Sequence, residues 1–120
     1  MQLMGQLTTH VLDTNAGIPA AAIRIELHAL GGSAPRLLCS VLTAANGRCA
    51  APLLAEADFH AGLYTLTYFV ADYFRARGIP LSSPPFLDEI MVRIGIAEAA
   101  QHYHVPLLIS PWSYSVYRGG

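Results

Sequence analysis

The stretch "AAIRIELHAL", residues 21 to 30, alternates apolar and polar side chains and indicates how the chain folds. On an extended backbone, successive side chains point to opposite faces, so its apolar residues share one face and its polar residues share the other. The two sets are Ile23, Ile25, Leu27 and Ala29 against Arg24, Glu26 and His28. This period of two predicts a half-buried β-strand.

Similar segments recur at short intervals along the chain. They are "LTTHVL" (7–12), "RLLCSVLT" (36–43), "GLYTLTYFVA" (62–71), "EIMVRIGI" (89–96), "YHVPLLIS" (103–110) and "YSVYR" (114–118). One helix is predicted over 71–78, with Asp72 as its cap and Gly78 and Pro80 at its end. Seven or eight short strands and one short helix predict a single all-β domain over residues 1–120, an antiparallel β-sandwich.

Two local signals refine this picture. Asn46-Gly47 follows the strand at 36–43 and predicts a hairpin, because both residue types tolerate positive φ. Pro106 interrupts the strand-like run at 103–110 and favours a sheet edge or a bulge, because proline cannot donate a backbone hydrogen bond.

The composition points to an oligomer and away from nucleic acid. Hydrophobic residues make up 53% of the 120 residues, and charged residues only 12%, about half the usual ~25%. A small monomer with so few charges would expose apolar surface of the kind found at interfaces. The net charge of −1 gives no sign of a nucleic-acid partner.

The compartment predicted from the sequence is the cytoplasm. The start, "MQLMGQLTTHV", has neither a basic segment nor a long apolar one, so no secretion signal is expected. No run of about 18 apolar residues predicts a membrane span. Cys39 and Cys49 could pair, but two buried free thiols in a reducing cytosol is the simpler interpretation.

Four polar residues stand where packing does not call for them: His10, Arg48, His102 and His104. Arg48 directly follows the predicted turn, and the last two histidines share a strand face because they are two positions apart. Each could be an ordinary hydrogen-bonded or solvated residue. A zinc site of the three histidines is disfavoured, because no cysteine or carboxylate accompanies them.

The segments "LTTHVLDTNAGIPA", "NGR" and "HYHVPLLISPWSYSVYRGG" together resemble the transthyretin-related family, in particular its branch that hydrolyses 5-hydroxyisourate. The resemblance implies a transthyretin-like sandwich of two four-stranded sheets with one short helix. It also implies a homotetramer with its sites at the dimer-dimer interface. The implied reaction opens a ring amide of 5-hydroxyisourate, in the degradation of urate towards allantoin, without a cofactor.

The resemblance also assigns residues. It implies that His10, Arg48 and His104 are catalytic, that His10, Arg48, Tyr117 and Arg118 bind the substrate, and that no metal takes part. The two histidines suit water activation and proton transfer, and which of them is the base stays open. An arginine can hold the substrate and stabilise the oxyanion that forms at the attacked carbonyl.

One position departs from the family pattern. Its members typically end in Tyr-Arg-Gly-Ser, whereas this chain has Gly120 where the serine would stand. Two alternatives therefore stay open: a carrier of small ligands like transthyretin itself, and an inactive family member that lacks the terminal serine. A polar channel mouth would favour the hydrolase over the carrier.

Overall fold

A computed structural model describes residues 5–120. The first four residues, part of the stretch in which no secretion signal is expected, lie outside the described residues. Within 5–120 the chain forms nine strands, one α-helix and one short 3-10 helix. The strands are β1 (Gln6–Asp13), β2 (Ile18–Pro19), β3 (Arg24–Leu30), β4 (Arg36–Leu42), β5 (Leu54–Ala55), β6 (Gly62–Tyr68), β7 (Ile90–Ile96), β8 (Tyr103–Ile109) and β9 (Tyr114–Val116); the helices are α1 (Val70–Ala76) and the 3-10 turn Glu56–Asp58.

The strands form two sheets, which confirms the predicted β-sandwich, although the first sheet has five strands and not four. The first has the order β2-β1-β8-β9, and the short β5 also pairs with β1; the second has the order β4-β3-β6-β7. One pair refines the antiparallel prediction. Strands β1 and β8 run parallel, from Leu7 opposite Tyr103 to Asp13 opposite Ile109. The alternation of side chains is the same in parallel and antiparallel strands, so it does not reveal direction.

The core lies between the sheets and follows the alternation. The predicted inner face of β3 is confirmed, since Ile23, Ile25 and Leu27 are buried. Strand β1 buries every second residue, which leaves Thr8 and His10 on its outer face. The outer face of this first sheet is therefore where polar side chains can gather.

Pro106 lies within β8 and pairs with His10 of β1 without a bulge, so the bulge prediction was wrong, whereas the β9 side of Pro106 is an edge. Its carbonyl accepts a 3.4 Å hydrogen bond from the Tyr117 N–H, on the β9 side. The β8–β9 pairing itself begins at Leu107 opposite Val116. The proline nitrogen thus faces a position just beyond the end of β9, where the ladder requires no hydrogen bond from an N–H group.

The helix begins earlier than predicted. Phe69 precedes its first residue and makes no capping hydrogen bond through its side chain. Asp72 lies inside the first turn, 3.6 Å from the Arg75 guanidinium, so its predicted role as cap was wrong. An acidic side chain in the first turn still suits the helix dipole. Gly78 ends the helix as predicted, with φ at 78°.

Both cysteines are free and half-buried. Burial raises the pKa of both thiols, and at Cys49 the neighbouring Cys39 acts in the same direction. Neither thiol is therefore activated as a nucleophile. No helix in the described part of the chain has the length and apolar character needed to cross a membrane.

A buried carboxylate connects the end of β1 to the helix. Asp13 is 1% exposed. It accepts hydrogen bonds from the Tyr73 hydroxyl at 2.9 Å and the Ala16 N–H at 3.0 Å. The Arg77 guanidinium lies 3.6 Å away. A buried charge needs such partners, so this cluster ties α1 to the first sheet.

We predict that Tyr73→Phe lowers the free energy of unfolding by about 1.5–3 kcal/mol, because it removes a hydrogen bond to a buried charged group. The matched control is Tyr64→Phe, since the Tyr64 hydroxyl donates to the neutral His60 carbonyl at 2.8 Å. That change should cost only about 0.5–1.5 kcal/mol. Urea unfolding followed by circular dichroism measures both. Equal losses would show that the Asp13 carboxylate does not depend on Tyr73.

Candidate active site

The outer face of the first sheet brings together the polar residues of β1 and β8. In the parallel register Thr8 stands opposite His104, and His10 stands opposite Pro106. Paired residues in a sheet point to the same face, so the hydroxyl and both imidazoles lie side by side. The His10 and His104 ring centroids are 6.4 Å apart, with the ring planes inclined by 33°.

Arg48 reaches this face from a tight turn. The Gly47 N–H donates to the Ala44 carbonyl at 2.9 Å, and the Ala44 N–H donates to the Arg48 carbonyl at 2.7 Å. The predicted turn at Asn46-Gly47 is thus present. The predicted hairpin was wrong, because β4 pairs with β3 alone among the described strands and Arg48, after the turn, forms a single bridge to His10 of the other sheet. The turn therefore serves to hold an arginine beside the first histidine.

The C-terminal segment lines the other side of His104. Gly119 forms a bridge with His104, and its N–H donates to the His104 carbonyl at 2.6 Å. A Cβ at Gly119 would lie 2.9 Å from His104 Cδ2 and 3.3 Å from Pro106 Cγ. Only glycine lets the chain approach this closely without displacing the imidazole.

A cavity of about 410 Å³ opens between β1 and the segment that follows the turn. Among the described residues, those lining it are Thr8, Thr9, Arg48, Cys49, Ala50, Ala51, Pro52, His102, His104 and Gly120. His10 lies beside His104 just outside this lining. The cavity is large enough for a small planar molecule, and Arg48 and His104 both face it.

The electrostatics keep the two histidines neutral. Burial lowers the pKa of His10 from the ordinary 6.5, and the Arg48 charge adds to this, while a backbone hydrogen bond with Asn46 opposes it. Burial also lowers the pKa of His104, and the Arg48 charge and the proximity of the His10 and His102 rings act in the same direction. Both rings can therefore accept or pass on a proton at neutral pH.

Tyr117 and Arg118 lie elsewhere in the single chain. They line a separate groove of about 320 Å³ beside β7. The Arg118 guanidinium stacks 3.9 Å from the Tyr103 ring centre and donates to Gln101 Oε1 at 3.1 Å and the His102 carbonyl at 3.0 Å. The structure thus brings together His10, Arg48 and His104 but not these two, and their substrate-binding role stays a prediction.

Thr8 and Gly119 are site residues that sequence reasoning missed. Thr8 lies two positions before His10, so the period of two could have placed it on the same face. The close approach of Gly119 to the His104 ring depends on the bridge between these two residues, and no local sequence pattern predicts that bridge. No group of three histidine, cysteine or acidic side chains within residues 5–120 is placed to hold a metal ion.

The model of the HIUase/Transthyretin family matches residues 7–119. The chain belongs to this family. It is 52% identical to the 5-hydroxyisourate hydrolase of Pseudomonas aeruginosa over 118 residues, 98% of this chain and 94% of that protein. It is 56% identical to the protein of the same name from Mesorhizobium japonicum over 115 residues, 96% of this chain and 92% of that protein.

Solved structures give the same fold. The crystal structure of (S)-allantoin synthase matches with a TM-score of 0.93 and 44% identity over 99% of this chain, which spans 45% of that chain. Klebsiella pneumoniae 5-hydroxyisourate hydrolase matches with a TM-score of 0.81 and 32% identity, over 98% of this chain and 100% of that one. Sea bream transthyretin in complex with thyroxine matches at 0.85 and 25%, over 95% and 94%.

We predict that Gly47→Ala displaces Arg48 and destabilises the protein. Gly47 has φ at +79°, and a Cβ there would lie 2.4 Å from the Val11 carbonyl oxygen. Gly17→Ala is the matched control, because Gly17 has φ at +72° but open space around it. The control should lower the free energy of unfolding by about 1–2 kcal/mol, the strain of the left-handed conformation. Gly47→Ala should lower it by more, because the added Cβ also collides with β1. Chemical denaturation measures both, and equal costs would contradict the close approach of the turn to β1.

Proposed function

We propose that the protein hydrolyses 5-hydroxyisourate by opening a ring amide, a step of urate degradation towards allantoin. The observation that carries this proposal is the meeting of His10, Arg48 and His104 beside a cavity sized for a small planar substrate. The relatives that carry the name 5-hydroxyisourate hydrolase support it, since they match almost the whole chain.

The chemistry follows from the three side chains. A neutral imidazole takes a proton from water, and the resulting hydroxide oxygen bonds to the ring carbonyl carbon. The Arg48 guanidinium stabilises the charge that develops on the carbonyl oxygen. The carbon–nitrogen bond then breaks, and the leaving ring nitrogen takes a proton from the imidazolium, which returns to its neutral form. These steps need no cofactor or metal.

The terminal glycine bears on the inactive alternative. Gly120 lines the cavity, and a Cβ at this position would have nothing within 4 Å. The space that the family's serine would occupy is thus open to water or to part of the substrate. The carrier alternative is disfavoured by the charged and imidazole groups of the lining, which an apolar ligand would leave without hydrogen bonds.

The proposal includes a homotetramer in the cytoplasm. Several large apolar side chains of the segments around β7 and β9 are exposed in the single chain: Phe86, Met91, Trp112, Tyr114, Val116 and Tyr117. The Phe86 and Trp112 rings also contact each other, with centroids 5.8 Å apart. Such a surface suits burial between subunits. Sites at the dimer-dimer interface would allow Tyr117 and Arg118 of one subunit to contact the substrate bound by another subunit.

We predict that His10→Ala, Arg48→Ala and His104→Ala each lower turnover by about 10²–10⁴-fold, because each removes a proton-transfer group or the oxyanion's partner. The measurement is the ultraviolet decay of freshly generated 5-hydroxyisourate. His28→Ala and Arg36→Ala, which change the same residue types on the other sheet, should keep near wild-type rates.

Either of two results would refute the activity. One is a wild-type protein that leaves the spontaneous decay rate unchanged, as the inactive alternative requires. The other is a set of three site variants that all retain full turnover.

We predict a tetramer by light scattering at micromolar concentration, because the exposed aromatic side chains around β7 and β9 suit burial between subunits. Trp112→Arg should give smaller species, since it places a charge in that surface. Leu42→Arg, at an equally exposed position on β4, should leave the tetramer intact. A monomeric wild type would contradict the proposed assembly.

A further inference from the structure

The Thr8 hydroxyl lies between two histidines on the wall of the cavity. Its Oγ1 is 2.8 Å from His104 Nδ1 and 3.4 Å from His102 Nε2. All three residues line the cavity. Since Nδ1 of His104 is occupied by this contact, Nε2 is the ring nitrogen left for a ligand.

A threonine hydroxyl has one hydrogen to donate and two lone pairs to accept with. It can therefore accept from His102 and donate to His104, accept from His104 and donate to His102, or accept from both rings. A doubly protonated His102 can only donate, which excludes the direction that ends at His102.

Two observations favour the direction that ends at His104. The 2.8 Å contact matches the commonest length for a hydroxyl donor, about 2.7–2.8 Å, and is slightly shorter than the commonest length for an N–H donor, about 2.9–3.0 Å. Burial and the nearby Arg48 charge lower the pKa of His104, so the ring is neutral and one of its nitrogens can accept. The titratable and charged groups around it are Arg48 from the turn, His10 from β1, His102 just before β8 and the terminal carboxylate at Gly120, whose negative charge acts in the opposite direction.

We propose that Thr8 is a positioning residue that, with His102 behind it, holds neutral His104 in the tautomer that carries its proton on Nε2. Resting on the proposed function, this assigns the two histidines different tasks. His104 donates a hydrogen bond from Nε2 to the substrate, and His10 takes the proton from water. The carbon–nitrogen bond breaks as His10 passes that proton to the leaving ring nitrogen, so both imidazoles end neutral.

The first experiment reads the tautomer directly and needs no substrate. Long-range ¹H–¹⁵N spectra of the wild-type protein at neutral pH distinguish a protonated from an unprotonated ring nitrogen, and His104→Gln identifies the signals. We expect His104 with its proton on Nε2. A proton on Nδ1 would overturn the proposal, whatever the activity of the protein.

The second experiment uses Thr8 variants of similar size. Thr8→Val removes the hydroxyl and should lower turnover about two- to tenfold, the effect of one hydrogen bond made in the transition state. It should also give a mixture of His104 tautomers. Thr8→Ser keeps the hydroxyl and should therefore show the wild-type turnover and a single His104 tautomer.

Thr14→Val is the matched control. It also removes a threonine hydroxyl from the β1–β8 region, one that donates a part-buried hydrogen bond to the Ile109 carbonyl at 2.9 Å, but away from the cavity. It should leave turnover and the His104 spectrum unchanged. Wild-type behaviour of Thr8→Val in both measurements, or the same loss in Thr14→Val, would overturn the role of Thr8. A wild type without hydrolase activity but with the Nε2 tautomer would refute the proposed function and leave this positioning intact.

Discussion

The parallel pairing of β1 with β8 is the interaction on which the rest of the structure depends. It runs over seven residue pairs, from Leu7 with Tyr103 to Asp13 with Ile109. One face of the pair completes the core through Val11 and Leu107. The other face carries Thr8, His10 and His104. The same backbone hydrogen bonds thus stabilise the sandwich and set the spacing of the candidate catalytic groups.

Two further segments attach to the outer edges of this pair. The turn at Gly47 bridges to β1 through His10, and Gly119 bridges to β8 through His104. Both contacts need a residue without a side chain, because a Cβ would collide with β1 or with the imidazole. Backbone geometry therefore sets the position of the Arg48 charge and the close approach of the C-terminal segment. The Arg48 charge helps to lower the pKa of both histidines, and the C-terminal segment helps to enclose the cavity.

The sequence predicts the strands and much of the site, and the limits of that prediction have physical causes. Alternation in β3 is local, so its buried face is read correctly. The direction of β8 relative to β1 is a long-range property that alternation does not encode. Asp72 has the right chemistry for a cap but is the third residue of the helix, whose capping position is Phe69. His10, Arg48 and His104 were found through a resemblance over most of the chain, whereas Thr8 looks like any threonine in a strand until His104 is placed beside it.

The separation in sequence between β1 and β8 has a consequence for how the protein is made. Nearly one hundred residues lie between the partners of this ladder, so closing it is among the most non-local events in folding. During synthesis a ribosome releases β1 long before β8 emerges. Until then the apolar residues of β1 lack their neighbour, and His10 has no second imidazole beside it. The chain therefore acquires its first sheet and its candidate catalytic groups together, only after β8 has been made.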